Sequence, residues 1–150
     1  MKKFIKYLIL GISTLALCGC TKESINVDTF SDVLKNNSCR SEDFSEDYVG
    51  DDNVNYMIKG YCDGFEIEFY VVEKTDYAKE VFTDTKNEFL TDKTGTYSEK
   101  NINGSNFSTY KLDSINEYKY IAYVDNTIMY VKADSANKKN IDAIIKELGY

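Results

Sequence analysis

The sequence predicts an α+β protein: an antiparallel sheet of about six strands with three helices packed on it, in the order α-β-β-α-β-β-β-β-α. Two observations predict this class. Apolar residues recur at helical spacing in residues 27–37, 75–90 and 133–150. In three other stretches, residues alternate between two strand faces on either side of a short turn signal. Because sequential hairpins form antiparallel sheets, and amphipathic helices need an apolar surface to cover, we expect the helices on one side of the sheet.

Each of the three predicted helices has an apolar face, and two of them have recognisable capping residues. Asp28 or Thr29 is expected to cap the first helix, and Asp134 or Ser135 the third. Gly149 suits a left-handed stop after the third helix. The apolar faces are, in chain order, Phe30, Val33 and Leu34; Ala78, Val81, Phe82 and Phe89; and Ile141, Ile144, Ile145 and Leu148.

Three hairpins are predicted from two-residue turn signals at Asp63-Gly64, Asn103-Gly104 and Asp125-Asn126. The first register places Lys59 opposite Glu68, a favourable cross-strand pair. A helix followed by a hairpin occurs twice, near residues 28–72 and 75–112. This order suggests a duplicated unit, although the letters of the two units do not match well.

The N-terminus has the order of a secretory signal. Lys2, Lys3 and Lys6 precede an uncharged apolar run from Tyr7 to Leu17, and small residues follow at once. The run is too short to span a bilayer comfortably as a permanent helix. We therefore expect residues 1–19 to be removed during export.

Leu17-Cys18-Gly19-Cys20 resembles the lipobox of bacterial lipoproteins. In that family the signal is cut before the cysteine and a diacylglycerol is attached to its sulfur. Cys20 fits this position, whereas Cys18 would have Leu17 where the family needs Gly, Ala or Ser. The resemblance implies lipidation at Cys20 and a location at the outer face of the cytoplasmic membrane, where two acyl chains hold a protein stably.

The rest of the chain is predicted to be one acidic domain. The signal holds three of the 18 Lys and Arg and none of the 25 Asp and Glu, so the chain from residue 20 carries a net charge of −10. This negative charge disfavours binding to nucleic acid and flat adsorption on a surface of anionic lipids. We expect residues 20–27 to be the lipidated cysteine and a short tether, and residues 28–150 to form a single domain.

The other two cysteines form an even pair in an exported, oxidising setting. A disulfide between Cys39 and Cys62 would enclose 22 residues and be worth about 3 kcal/mol if unstrained. Two separate buried thiols are the alternative, because a pairing cannot be deduced from sequence alone.

The sequence contains no histidine and no recognised nucleotide, metal or nucleophile motif, so we predict no cofactor and no metal. The acidic residues 41–52 do not fit an EF-hand, because Tyr56 stands where glycine is needed and Cys62 where glutamate is needed. A solvated loop is the simpler interpretation of this stretch.

The tyrosines of the third hairpin provide the one candidate interaction surface. The chain has 13 tyrosines, and this hairpin carries four of them, distributed over both of its faces. One face is expected to be open to a protein or peptide partner. The alternatives are that the third helix covers this face, or that tyrosine is here simply a residue that favours strands. The candidate residues are Ile121, Tyr123, Ile128 and Tyr130.

Beyond the lipobox, IEFYVVE before a helix, DNTIMYV in a hairpin and the final IIKELGY resemble small lipoproteins of low-GC Gram-positive bacteria. The resemblance implies fold and location and carries no activity. A non-enzymatic binding module is therefore the first hypothesis. An inhibitor of an extracellular enzyme is the second. A hydrolase using Glu66 and Glu68 is a third, although Lys59 opposite them favours a surface ion pair.

Overall fold

The computed structural model describes residues 20–51, 53–93 and 95–150, so the predicted signal peptide lies outside the described residues. The seven strands are β1 Arg40–Asp43, β2 Val54–Cys62, β3 Phe65–Val72, β4 Tyr97–Asn103, β5 Phe107–Ser114, β6 Glu117–Val124 and β7 Thr127–Asp134. They form one antiparallel sheet in the order β1-β2-β3-β7-β6-β5-β4. The helices are α1 Val27–Asn36, α2 Thr75–Thr91 and α3 Lys138–Glu147, with short 3-10 helices at Ser45–Tyr48 and Ser135–Asn137.

The α+β class and the antiparallel sheet are confirmed, with one strand more than predicted. The extra strand, β1, is the sequence Arg-Ser-Glu-Asp, which has no apolar alternation to mark it. It pairs along the edge of β2, with Glu42 opposite Lys59. The acidic stretch expected as a loop therefore begins inside a strand and continues into a 3-10 helix.

Two of the three predicted turns are confirmed, and the second is displaced. Cys62 pairs with Phe65 around Asp63-Gly64, and Val124 pairs with Thr127 around Asp125-Asn126. In the second hairpin the Gly104 N–H donates to the Phe107 carbonyl at 2.9 Å. The turn residues are therefore Ser105 and Asn106, two positions later than Asn103-Gly104.

The helices lie on both faces of the sheet, so the prediction of a single helical side is wrong. α1 and α3 cover one face, where Phe69, Tyr120 and Met129 belong to the larger core. α2 covers the opposite face over Ile121 and Ile128. The reason is topological: β7, β6 and β5 lie between β3 and β4, so the helix joining β3 to β4 has to pass over them. The two helix and hairpin units therefore place their helices on opposite faces.

α1 sits close against the sheet because a glycine lies beneath it. A Cβ atom at Gly60 would lie 2.5 Å from Leu34 Cδ1. On the same face, the Phe30 ring stacks on the Phe69 ring with centroids 4.8 Å apart. The helix begins slightly earlier than predicted, because Asn26 is the capping residue and accepts from the Thr29 N–H at 2.8 Å.

α3 is tied to the sheet by polar side chains beside its buried apolar face. Tyr118 Oη donates to Asp142 Oδ1 at 2.7 Å, and Lys111 Nζ bonds the same oxygen. Burial alone would raise the pKa of Asp142, but these two hydrogen bonds and the positive charges of Lys111 and Lys138 together hold the pKa below its ordinary value. Gly149, at φ +80°, ends the helical region as predicted.

The Cys39–Cys62 disulfide is present, as predicted. It joins the segment just after α1 to the last residue of β2, so it links the first helix to the hairpin beneath it. In the part of the chain that the structure describes, no helix is long and apolar enough to cross a membrane.

Candidate functional site

The Tyr/Ile face predicted as a partner surface is assembled but covered. Ile121, Tyr123 and Ile128 are at most 8% exposed, and Tyr130 is half-buried. The Phe82 ring of α2 meets the Tyr123 ring edge-on, with centroids 5.5 Å apart. An open interaction face at these residues is therefore wrong, and the covering element is α2 rather than the third helix.

Beside α2, this face narrows to a groove of about 230 Å³ between the helix and β3. Tyr70 Oη donates to Glu68 Oε2 at 2.7 Å. Burial, followed by this contact, raises the pKa of Tyr70, and burial and the nearby Glu68 also raise the pKa of Tyr130. Both tyrosines thus stay neutral over the ordinary pH range and line a small hydrogen-bonded recess.

The two glutamates weighed as a hydrolytic pair share one lysine. Lys59 Nζ lies 3.3 Å from Glu66 Oε2 and 3.2 Å from Glu68 Oε1. The hydrogen bond to Glu68 is the largest of the contacts that raise the pKa of Lys59. This geometry is that of a cross-strand ion-pair cluster, in which both carboxylates contact one ammonium group.

A larger concavity lies at the end of the sheet where β4 begins and the β5–β6 turn protrudes. This cleft measures about 910 Å³. Its walls include Lys93, Tyr97, Leu112, Ile115, Glu117 and Lys132.

Lysines of the cleft are paired with glutamates. Lys93 Nζ lies 3.0 Å from Glu99 Oε1, and Glu117 lies 3.1 Å from the Nζ of Lys119 and 3.5 Å from that of Lys132. The Lys119 side chain is only 2% exposed and reaches the cleft residue Glu117 from beneath the surface. The cleft thus offers charges of both signs beside apolar surface.

Exposed apolar side chains lie along the β4 edge: Tyr97 and Ile115 border this cleft, whereas Ile102 lies toward the other end of the strand. Among the described residues five large apolar side chains are exposed, and three of them are Tyr97 and Ile102 on β4 and Ile115 in the β5–β6 turn. Ile115 is 89% exposed. Scattered single exposures are ordinary, but grouping along one edge is typical of an interaction surface.

β4 is the last strand of the sheet, and all seven of its residues are exposed. The Gly104 N–H donates to the Phe107 carbonyl, and every second residue of an antiparallel strand bonds the same neighbour. Ile102, Lys100 and Ser98 therefore bond inward to β5. The backbone N–H and C=O groups of Tyr97, Glu99, Asn101 and Asn103 therefore point outward. We name this outer backbone of β4, with Tyr97, Ile102, Ile115 and the adjoining cleft, the edge site.

Sequence reasoning placed β4 in a hairpin and gave it no role. The available signal is its composition: Tyr-Ser-Glu-Lys-Asn-Ile-Asn has polar residues on both faces, which is typical of an edge strand. Across the described residues, no three His, Cys, Asp or Glu side chains are grouped to hold a metal ion. Comparisons with protein-family models, curated proteins and solved structures find no match for this chain.

Proposed function

We propose that this protein is a lipoprotein anchored through Cys20 at the outer face of the cytoplasmic membrane, and that it acts as a non-enzymatic binding module. The lipobox resemblance supports the anchor, and the Cys20 side chain is exposed and free. The Cys39–Cys62 disulfide is consistent with an exported, oxidising setting.

The observation that carries the binding role is the outer edge of β4, against which no other strand of the described residues is paired. An extended peptide adds to such an edge through main-chain hydrogen bonds, while pockets for alternate side chains supply selectivity. The edge site offers outward backbone groups over seven residues and a cleft at one end. Its ligand is therefore an extended peptide segment of a partner protein.

A second copy of the chain fits this edge less well. Antiparallel pairing of two β4 strands about their centres would place Lys100 opposite Lys100. Directly opposed like charges are destabilising, and lysine on an edge strand is a common protection against self-pairing.

The backbone mode of binding is tested by two substitutions at Asn101, whose N–H points outward. Asn101→Pro removes that donor, whereas Asn101→Ala retains it, and neither removes an inward hydrogen bond to β5. The probe is a peptide selected from a randomised displayed library on the wild-type protein, with binding followed by fluorescence anisotropy. We expect binding to Asn101→Pro to be roughly five- to tenfold weaker, as for one lost backbone hydrogen bond of about 1 kcal/mol.

The Asn101→Ala variant is expected to bind the selected peptide as the wild type does. Circular dichroism and a denaturation curve confirm that both variants are folded. Equal affinities of the two variants would contradict strand addition at β4, and so would a library that yields no binder.

Inhibition of an extracellular enzyme is a second candidate, favoured by the protruding β5–β6 turn. Ile115 is the most exposed large apolar side chain described, and a projecting apolar residue suits insertion into an enzyme cleft. Glu66 and Glu68 are both ion-paired with Lys59, which disfavours a hydrolase that uses these two carboxylates.

A further inference from the structure

The segment that follows Cys20 is bound to the domain. The Cys20 carbonyl accepts from the Ser105 N–H at 3.1 Å. The Lys22 N–H donates to Asn106 Oδ1 at 3.1 Å, and Asn106 Nδ2 donates back to the Lys22 carbonyl at 2.8 Å. The Asn106 amide thus pairs with the Lys22 backbone as a neighbouring strand would, and it is itself held by Asp125 Oδ1 at 3.1 Å.

Close packing at Gly104 reinforces this attachment. A Cβ atom there would lie 2.4 Å from the Cys20 carbonyl oxygen and 2.0 Å from the Phe107 ring. Lys22 Nζ sits 5.1 Å from the centroid of that ring, and burial lowers the pKa of Lys22. Farther along, Ile25 is partly buried and packs against the larger core. The predicted tether, residues 20–27, is therefore bound along the domain and is not a free spacer.

The attachment lies at one end of the sheet. Strand register places Val71 beside Thr127, Thr127 beside Val124 and Val124 beside Phe107, so the ends of β3 and β6 and the starts of β5 and β7 share this end. The start of α2 lies there too, since it follows β3. We call this the tether end. The cleft of the edge site lies at the opposite end.

We propose that the bound tether fixes how the domain stands on the membrane, with the tether end against the phospholipid headgroups and the cleft pointing away. This inference rests on the proposed acylation of Cys20. Because the Cys20 carbonyl is itself bound to Ser105, the acyl chains would begin within one residue of the domain surface. β5 has eight residues, so the cleft would stand about 25 Å above the headgroups.

Side chains at the tether end fit this placement. Tyr56 is 50% exposed and borders a recess formed with residues 24–28. Tyrosine is favoured at membrane interfaces because its ring is apolar and its hydroxyl is polar. The basic side chains Lys22 and Lys74 at this end are matched by Asp125 and by Glu73, which lies 3.5 Å from Lys74 Nζ, so they give no basic excess for adsorption. The tether and its acyl chains, rather than headgroup charge, therefore set the orientation.

The orientation is tested with fluorophores at the two ends of acylated protein in phosphatidylcholine vesicles that carry a headgroup quencher. Lys74→Cys, just beyond β3, labels the tether end, and Ile115→Cys labels the cleft end; both positions are exposed. Each introduced cysteine is the one reactive thiol when Cys20 is acylated and Cys39 is bonded to Cys62. We expect strong quenching at position 74 and little at position 115.

The Asn106→Ala substitution, made in both labelled proteins, removes the side chain that binds the Lys22 backbone. We expect it to reduce the difference in quenching between positions 74 and 115. Asn103→Ala, on the same hairpin and exposed, is the matched control and should keep the difference. Flotation of the vesicles tests the lipid anchor separately from the fixed orientation. Protein that floats but is quenched equally at both positions overturns the fixed orientation alone, whereas protein that does not float overturns the anchor and the orientation with it.

Discussion

Replacing Phe82 with alanine is expected to lower the free energy of unfolding by about 3 kcal/mol, at the lower end of the range for phenylalanines in a core. Phe82 is 7% exposed and lies on the sheet-facing side of α2, where its ring meets that of Tyr123. The substitution removes the buried area of the side chain, leaves a cavity and loses an aromatic pair. The effect should be large because α2 covers this face of the sheet.

Urea denaturation followed by circular dichroism measures this loss. Glu80→Ala is the matched control, since Glu80 lies on the same helix and is exposed, and it should change stability by less than about 0.5 kcal/mol. Equal stabilities of the two variants would show that α2 does not cover the sheet. The Tyr/Ile face would then return as a candidate partner surface.

Removing the disulfide by a Cys39→Ser, Cys62→Ser double substitution is expected to lower the free energy of unfolding by about 3 kcal/mol. The bond closes a loop with a sequence separation of 23 residues, which restricts the unfolded chain. It also holds the end of α1 beside the end of β2, so its loss should loosen α1 first.

Denaturation curves of oxidised wild type and the double variant provide the measurement. The Cys20→Ser variant controls for the loss of a thiol, because Cys20 is exposed and outside the core, and its domain stability should match that of the wild type. Stability unchanged in the double variant would contradict a stabilising bond between Cys39 and Cys62.

Features set by local chemistry were predictable from the sequence. The turns at Asp63-Gly64 and Asp125-Asn126 are correct because each contains a residue that takes positive φ, Gly64 at +82° and Asp125 at +51°. Once such a turn is placed, the period of two in the strands fixes which side chains share a face. The pairing of Lys59 with Glu68 follows in this way.

The second turn shows where local chemistry misleads. Asn103-Gly104 has the same signal, yet Gly104 is outside the turn and does not have positive φ. Its missing side chain instead makes room for the Cys20 carbonyl and the Phe107 ring. A contact between residues 20 and 104 leaves no pattern in either neighbourhood, so the displacement was beyond sequence reasoning.

The candidate site was mispredicted for a topological reason. The alternation in β6 correctly puts Ile121 and Tyr123 on one face, but it does not say which helix lies above them. That depends on the order of the strands in the sheet, which makes α2 cross over β7 and β6. The same order leaves β4 at the edge of the sheet. The strand order, which the sequence did not predict, thus explains both why the Tyr/Ile face is covered and why the edge site is exposed.

The anchor at Cys20 is the claim on which the compartment and the orientation depend. The most direct test is the intact mass of the protein extracted from membranes of a bacterium that processes lipoproteins, with Cys20→Ser expressed in parallel. We predict a chain that begins at residue 20 and carries a diacylglycerol on its cysteine, and an unprocessed Cys20→Ser chain. A wild-type chain that keeps residues 1–19, or that begins at residue 20 with an unmodified thiol, would contradict the account.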